Sequence, residues 1–159
     1  MLRFLLIMGL IIVSDQLTKM WVLDSFTSHN LPVIPGFFNL VLVRNTGAAF
    51  GMLSNLPPFW RQLFFISIAV TALIVMVFMQ RRMGQENPLY AVSFGLISGG
   101  AIGNVIDRLR WGSVVDFLDF HIGSWHWPAF NVADSGITVG VGLFLLTQFW
   151  QERDNKPEP

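Results

Sequence analysis

The fold follows from residues 103–134, which read GNVIDRLRWGSVVDFLDFHIGSWHWPAFNVAD. This stretch joins two long uncharged runs, and it carries Asp107, Asp116 and Asp134 in three separate blocks. Carboxylates placed where two membrane spans meet are energetically costly, and they are usually functional. The stretch therefore predicts a membrane-embedded hydrolase in which two of these carboxylates do the chemistry.

The composition is typical of a membrane protein. Hydrophobic residues make up 53% of the 159 residues and charged residues only 13%, and the mean hydropathy is +0.55. A soluble globular chain is less apolar than this. At this length the whole chain, residues 1–159, is expected to form a single membrane domain.

Several classes of site are disfavoured by the composition. The formal net charge is zero, so no basic surface indicates a nucleic-acid partner. The absence of cysteine excludes disulfides, thiolate catalysis and Cys-ligated metal. The histidines, His29, His121 and His126, form no His-Glu-x-x-His pattern. A zinc peptidase of that type is therefore unsupported, and neither a metal nor a cofactor is predicted.

Four apolar segments have about the 20 residues that a helix needs to cross a bilayer. They are residues 2–23, 60–79, 89–106 and 135–150. All six tryptophans lie at or beyond the ends of these segments, as in an interfacial aromatic belt. The first segment looks like a signal peptide, but it lacks a small-x-small cleavage site and continues into Asp15 and Lys19. We therefore expect four retained spans.

Basic residues predict the orientation of the spans. One group would lie in short tails and one tight loop: Arg3, Arg81, Arg82, Arg153 and Lys156. The other group is spread over two long loops: Arg44, Arg61, Arg108 and Arg110. Because the first group is denser, the positive-inside rule places both termini in the cytoplasm. The long loops, about 24–59 and 107–134, would then face outward together with the aspartates.

The first long loop predicts a small sheet and a short helix. Residues 33–43 are rich in β-branched and aromatic side chains and are interrupted by Pro35 and Gly36, which favours two short strands. Residues 51–56 are predicted to form a short helix before Pro57. The expected fold is an all-α membrane protein. It has four transmembrane helices, with a small β-sheet and a short interfacial helix on the extracytoplasmic side.

Residue spacing predicts how the spans pack. Asp15 and Lys19 are four residues apart on one helical face, where a structural ion pair is favoured over direct chemistry. Small residues at four-residue spacing let membrane helices approach closely. Such stripes are Gly95, Gly99 and Gly103 in the third span and Gly136 and Gly140 in the fourth. They predict that these two spans pack through the stripes, which would bring Asp107 close to Asp134.

Some candidate site residues also have a structural explanation. Asn131 is a good helix N-cap, and Asp134 would then lie in a first turn where the helix dipole favours it. That explanation does not account for Asp116 in its apolar, strand-like context, so a functional role is favoured. Asn45 is either a turn residue or an amide that holds a substrate backbone, and composition favours neither.

Five blocks of the sequence resemble the lipoprotein signal peptidase (signal peptidase II) family. They are Asp15-Gln-Leu-Thr-Lys19, Arg44-Asn-Thr-Gly-Ala-Ala-Phe50, Gly103-Asn-Val-Ile-Asp-Arg108, Val115-Asp-Phe117 and Phe130-Asn-Val-Ala-Asp134. The resemblance implies an aspartic endopeptidase of the bacterial cell inner membrane. Such an enzyme removes the signal peptide from prolipoproteins that carry a diacylglyceryl-cysteine, and it cleaves before the lipidated cysteine.

The resemblance also implies roles for individual residues. Asp116 and Asp134 would form the catalytic dyad. Four side chains would bind or orient the substrate and the dyad: Asn45, Asn104, Arg108 and Asn131. Asp15, Lys19 and Asp107 would support the structure. The implied partners are prolipoprotein substrates and membrane lipid, and the enzyme is expected to act as a monomer without a cofactor.

Two carboxylates that share one proton can hydrolyse a peptide without a metal or a covalent nucleophile. One takes a proton from water, while the other donates to the carbonyl oxygen and then to the leaving amine. Asp107 adjoins Arg108 and is expected to pair with it and stay charged, whereas the apolar neighbours of Asp116 favour its protonated form. The residues leave open which member of the dyad carries the proton at rest.

Three other classes of membrane protein fit less well. A proton-coupled transporter places its carboxylates near the midplane, often in repeated halves. A presenilin-type protease needs a Gly-x-Gly-Asp motif, and Val132-Ala133 precede Asp134 instead. A Ser/Lys peptidase is weak because Ser14 and Lys19 are five residues apart and do not share a helical face.

Overall fold

The structure is a computed structural model that describes residues 1–26, 30–47, 53, 56–84 and 87–154. Its four helices are α1 (Leu2–Ser25), α2 (Pro58–Met83), α3 (Pro88–Trp111) and α4 (Val132–Asp154). Its four strands are β1 (Leu31–Ile34), β2 (Phe38–Asn45), β3 (Val114–Ile122) and β4 (Trp125–His126). All four helices are long and apolar enough to cross a membrane, which confirms the four predicted spans.

The helices extend beyond the apolar segments, and in α3 both ends are set by caps. Helix α3 begins after Asn87, whose side chain accepts a hydrogen bond from the backbone N–H of Leu89 at 2.9 Å. It continues to Trp111 and ends at Gly112, where φ is +69°. Asp107 is therefore inside the helix and not in a loop, one turn before that end.

Helix α3 is the centre of the bundle. It contacts all three other helices. It also has more buried residues than α1 or α2. Helix α2 lies at the periphery, since only Arg61 and Gln80 are buried in it. Large apolar side chains such as Phe59, Ile74 and Leu145 are exposed on the outer helices, as expected for surfaces that face lipid.

The glycine stripe of α3 packs against α1, so the prediction that it packs against α4 was wrong. A Cβ atom on Gly95 would lie 2.9 Å from the carbonyl oxygen of Phe4, and one on Gly99 would lie 2.8 Å from that of Met8. Four-residue spacing identifies residues on one helical face, but it does not say which neighbour that face meets. Asp107 follows the same face and consequently meets α1.

Helices α3 and α4 approach each other through Gly100 of α3 and through the predicted stripe of α4, Gly136 and Gly140, so the prediction for the α4 stripe is confirmed. A Cβ atom on Gly100 would lie 2.2 Å from the carbonyl oxygen of Ala133, and one on Gly140 would lie 2.8 Å from that of Ser93. Neither approach allows a side chain. The close contact at Ala133 fixes the start of α4 against the middle of α3.

A four-stranded antiparallel sheet joins the two long connections of the chain. The strand order is β1-β2-β3-β4, and Val43 of β2 pairs with Asp116 of β3. The two strands predicted within residues 33–43 are confirmed as β1 and β2. Because β2 follows α1 and β3 follows α3, their pairing places both connections at the same end of the bundle. Most of the helix predicted at residues 51–56 lies outside the described residues.

Candidate active site

A cavity of about 530 Å³ lies where β3, the end of α3 and the start of α4 meet. Its polar lining includes Asn45, Asn104, Arg108, Asp116 and Asp134. The remaining wall is mainly apolar, with contributions from Val114, Trp127, Phe130 and Val139. The structure therefore brings residues from four separate sequence blocks to one cavity.

Asp116 is a buried carboxyl group that accepts two amide hydrogen bonds. Asn45 Nδ2 donates to Asp116 Oδ2 at 3.0 Å, and Asn131 Nδ2 donates to Asp116 Oδ1 at 2.8 Å. Burial and the neighbouring negative charge of Asp134 raise the pKa of Asp116 to about 7, against the opposing effect of these hydrogen bonds. A carboxyl group with this pKa can hold or release a proton near neutral pH.

Asp134 lies in the first turn of α4 and is held from two sides. Asn104 Nδ2 donates to Asp134 Oδ1 at 2.8 Å. The backbone N–H of Asp134 donates to Asn131 Oδ1 at 2.9 Å, and Asp134 Oδ2 accepts from the backbone N–H of Asn131 at 3.3 Å. This reciprocal pair is a capping box. The predicted N-cap role of Asn131 is confirmed, and the same cap fixes the Asp134 side chain at the cavity.

Asn131 connects the two carboxyl groups. Its Nδ2 donates to the Asp116 carboxyl group and its backbone N–H donates to that of Asp134, while its Oδ1 accepts from the Asp134 backbone. A backbone N–H can only donate, so the orientation of the amide is fixed. Since Asn131 is completely buried, this link is shielded from water.

Asn45 turns the chain at the end of β2 and also holds Asp116. Its Oδ1 accepts a hydrogen bond from the backbone N–H of Gly47 at 3.1 Å, while its Nδ2 donates to Asp116. The first bond is an Asx-turn, so the turn alternative is confirmed. The contact with Asp116 agrees with the dyad-orienting role that the resemblance implied for Asn45. The residues alone could not predict this contact, because β2–β3 register cannot be derived from either strand alone.

Arg108 brings a positive charge to the cavity. Its Nη2 donates to the carbonyl oxygen of Gly47 at 3.1 Å, and its guanidinium lies 4.3 Å from the centre of the Phe65 ring. Within the described part of the chain no carboxylate forms an ion pair with it. The predicted pairing of Asp107 with Arg108 was therefore wrong.

Asp107 pairs with Lys19 instead. Lys19 Nζ lies 2.8 Å from Asp107 Oδ2 and 2.9 Å from Asp15 Oδ2, and all three side chains are completely buried. Neighbouring residues on a helix point to different sides, so Asp107 meets α1 while Arg108 meets the cavity. The predicted Asp15–Lys19 ion pair is confirmed, with Asp107 as an additional member.

This buried ion cluster joins four elements of the fold. Asp107 Oδ2 accepts from the backbone N–H of Val115 in β3 at 3.0 Å. Asp15 Oδ1 accepts from the backbone N–H of Ala133 in α4 at 2.9 Å. The cluster thereby connects α1 and α3 to the residue before Asp116 and the residue before Asp134.

Sequence reasoning did not identify Gln16 or the group around Asp119. Gln16 Nε2 donates to Asp107 Oδ1 at 3.0 Å and to Asp15 Oδ2 at 3.2 Å. Asp119 accepts from Asn39 Nδ2 at 2.9 Å and contacts His126 Nδ1 at 2.8 Å. The alternation of strand side chains was an available signal, because it places Asp119 on the face opposite to Asp116.

The Asp119 group lines a second cavity of about 510 Å³, on the other side of residues 127–129. Burial alone would raise the pKa of Asp119, but the hydrogen bonds from His126 and Asn39 outweigh it and lower that pKa. Asp119 is therefore a charged, internally satisfied group. Asp116, with its raised pKa, differs from it in this respect.

The sequence matches the family model described as signal peptidase (SPase) II over residues 7–150. The chain is 53% identical to the lipoprotein signal peptidase of Oleidesulfovibrio alaskensis, over 91% of this chain and 92% of that protein. It is 43% identical to that of Syntrophus aciditrophicus, over 98% and 97%, and 46% identical to that of Burkholderia mallei, over 91% and 86%.

Two solved structures are similar to this fold, and both are described as bacterial membrane enzymes. One has a TM-score of 0.86 and 35% sequence identity, and the match covers 98% of this chain and 93% of the other. The second has a TM-score of 0.79 and 37% identity, with 91% of each chain covered. The arrangement of the helices and the small sheet is thus shared with experimentally determined structures.

Proposed function

The chain belongs to the signal peptidase II family, and on that basis we propose that Asp116 and Asp134 form its catalytic dyad. The protein is a multi-pass bacterial membrane protein and an aspartic-type peptidase that removes signal peptides from prolipoproteins. The observation that carries the proposed dyad is that Asn131 holds both aspartates at one cavity: its side chain donates to the Asp116 carboxyl group, and its backbone N–H donates to that of Asp134.

The two carboxyl groups act as one acid–base unit. One carboxylate takes a proton from a water molecule while the water oxygen bonds to the scissile carbonyl carbon. The other carboxyl group donates a proton to the carbonyl oxygen. Collapse of the tetrahedral intermediate transfers a proton to the leaving nitrogen and breaks the C–N bond. The pKa of about 7 at Asp116 supports this scheme, because one member must hold a proton while the other is ionised.

The substrate is a diacylglyceryl-modified prolipoprotein whose acyl chains stay in the bilayer. Val139 lines the cavity, yet 59% of its surface is exposed on the outer side of α4. The cavity therefore continues to a surface that faces lipid, where acyl chains can lie. Arg108 and Asn45 contact the peptide or the lipid ester within the polar part of the cavity.

The active site faces the extracytoplasmic side of the inner membrane, and both termini are cytoplasmic. The denser basic residues at the other end of the bundle support this orientation. A single chain supplies both carboxyl groups and all of the side chains described around them, which supports a monomeric enzyme.

A gel mobility-shift assay with purified protein tests the substrate assignment. The protein is incubated with one prolipoprotein in two forms, with and without the diacylglyceryl group on the cysteine. We expect rapid cleavage of the lipidated form only, because acyl burial adds apolar binding energy. Equal cleavage of both forms would contradict the proposed role of the lipid, and no cleavage of either form would contradict the proposed substrate.

A further inference from the structure

Lys19 is a buried ammonium group that takes no direct part in the proposed hydrolysis. Its ion pairs with Asp15 and Asp107 would by themselves explain a structural role for the buried ammonium. However, Lys19 Nζ makes a third contact, since it donates to Asn104 Oδ1 at 3.1 Å. Asn104 is also a hydrogen-bond donor to Asp134. The ion cluster is therefore connected to one member of the dyad.

The ammonium group fixes the direction of the Asn104 amide. An ammonium can only donate hydrogen bonds, so the amide oxygen must face Lys19. Asn131 Nδ2 also donates to this oxygen, at 3.3 Å. The Asn104 NH2 group consequently points at Asp134 Oδ1, at 2.8 Å. Two donors in series, Lys19 and Asn104, thus lead to Asp134.

The two carboxyl groups of the dyad differ in whether their hydrogen-bond donors are linked to Lys19. Asp116 receives neutral amide donors from Asn45 and Asn131. Asp134 receives a donor that is polarised by Lys19, and it lies in the first turn of α4, where the helix dipole favours negative charge. We propose that Lys19, acting through Asn104, is a positioning residue that keeps Asp134 ionised, so that Asp134 is the base and Asp116 the acid.

Other charged groups near the dyad do not remove this difference. Asp15 of α1 and Arg108 of α3 interact with the dyad, and so do its two carboxyl groups with each other. Arg61 of α2 and Asp107 of α3 interact with Arg108. Arg108 interacts with both carboxyl groups, so it does not distinguish them. The charge of Lys19 also acts on both, so the difference rests on the hydrogen bonds that run through Asn104 to Asp134 alone. Asp15 and Asp107 are paired with Lys19 at 2.9 and 2.8 Å. The raised pKa of Asp116, about 7, agrees with its role as the acid.

The assignment completes the proton transfers of the reaction, and it rests on the proposed function. Asp134 takes a proton from water, whose oxygen bonds to the carbonyl carbon, and Asp116 gives its proton to the carbonyl oxygen. Asp134 then gives its new proton to the leaving nitrogen as the C–N bond breaks. Asp116 recovers a proton from the hydroxyl group of the intermediate, which leaves an acid, an amine and the starting state.

A double substitution removes the ammonium without changing the net charge of the cluster. Lys19→Met alone would leave two unpaired buried carboxylates, which is strongly destabilising. Lys19→Met combined with Asp107→Asn removes one charge of each sign. Asp15 keeps its backbone donor at Ala133. Lys19→Arg is the matched control, because it keeps the positive charge and the donor.

The readout is the pH profile of kcat/KM on the lipidated substrate. Its acidic limb reports ionisation of the base, and its alkaline limb reports loss of the proton from the acid. In the double variant we expect the acidic limb to move to higher pH by about one unit, with the alkaline limb in place. Lys19→Arg should leave the acidic limb at its wild-type pH. A lower rate with both limbs unmoved would make Lys19 purely structural, and movement of the alkaline limb alone would reverse the assignment.

Asn104→Ala serves if the double variant does not fold, and the same shift of the acidic limb is expected. Infrared difference spectra of the full chain without substrate give an answer that does not depend on cleavage. We expect a protonated carboxyl band that is lost as the pH rises through about 7, and Asp116→Asn should abolish it at pH 6. A band that persists in Asp116→Asn would place the proton on Asp134 and overturn the assignment, whether or not the proposed substrate is cleaved.

Discussion

At the scale of single residues, the site consists of two carboxyl groups whose environments are set by amides. Asn45 and Asn131 donate to Asp116, and Asn104 donates to Asp134. These amides stabilise the ionised forms, while burial and mutual repulsion oppose them. The balance at Asp116, where the pKa is about 7, therefore depends on individual hydrogen bonds that can be removed one at a time.

Removing the Asn45 amide should move the alkaline limb of the activity profile. Its hydrogen bond lowers the pKa of Asp116, so Asn45→Ala should raise that pKa from about 7 and shift the limb to higher pH. Asn39→Ala is the matched control, because Asn39 lies on the same strand but donates to Asp119. A limb that stays in place in Asn45→Ala, or moves equally in Asn39→Ala, would contradict the role of this bond.

The raised pKa of Asp116 also predicts how stability depends on pH. The folded state holds this proton more tightly than the unfolded state, so the contribution is fully present below about pH 4 and is lost as the pH rises through about 7. Asp116→Asn removes the titration. The Tm of the variant minus that of the wild type should therefore be larger at pH 8 than at pH 5.

Gly142→Ala is the control for this measurement in detergent. Its added Cβ atom would meet nothing within 4 Å, so no titratable group is disturbed. Its Tm difference should be constant between pH 5 and 8. A constant difference for Asp116→Asn as well would show that its pKa is not raised.

Single residues were predicted well where a local rule applied, and poorly where a distant contact decided. The N-cap at Asn131 and the pair of Asp15 with Lys19 follow from spacing along one helix. The partner of Asp107 does not, because adjacency to Arg108 in sequence places the two side chains on different faces of α3. The amide of Asn45 reaches Asp116 only through the pairing of two strands.

At the scale of elements, α3 positions the site through its close contacts with α1 and α4. Hydropathy predicted that the four helices exist, because a span needs a minimum apolar length. It did not predict their ends, which depend on caps such as Asn87 and on Gly112. Hydropathy also could not predict which neighbouring helix each glycine face contacts, because that depends on the rotation of each helix about its own axis.

Gly100→Ala tests the contact between α3 and α4. The added Cβ atom would lie 2.2 Å from the carbonyl oxygen of Ala133, so the start of α4 must move. We expect a loss of about 1–3 kcal/mol in stability, together with reduced activity, because Ala133 precedes Asp134. Gly142→Ala on α4 is the matched control, since its Cβ would meet nothing within 4 Å. Equal Tm values for the two variants would contradict this packing.

At the scale of the whole molecule, the sheet brings together what the bundle separates. Its β2–β3 pairing joins the two long connections at one end of the helices, where the cavity lies. The sequence predicted the sheet, the spans and the convergence of the aspartates on one membrane face. The addition of Asp107 to the predicted pair of Asp15 with Lys19 was beyond its reach, because α1 and α3 must pack before this contact exists.

Single-cysteine labelling tests the proposed orientation, and the chain has no native cysteine. Cysteines are placed at Ser28 and Ser124 in the two long connections and at Gln85 between α2 and α3. An impermeant reagent added from outside should label positions 28 and 124, because the denser basic residues keep the other end in the cytoplasm. Labelling at position 85 alone would invert the orientation.

The most direct test of the account is the cleavage of a lipidated prolipoprotein by Asp116→Asn, by Asp134→Asn and by the double variant. If the two carboxyl groups act as one unit, each single change should lower kcat by about 10²- to 10⁴-fold, and the double variant should be little worse than either. Asp107→Asn is the control. We expect it to lower Tm, because the Asp107 carboxylate pairs with buried Lys19, and to lower kcat much less than either dyad variant does. Near-normal cleavage by Asp116→Asn, or full activity in Asp134→Asn, would contradict the proposed dyad.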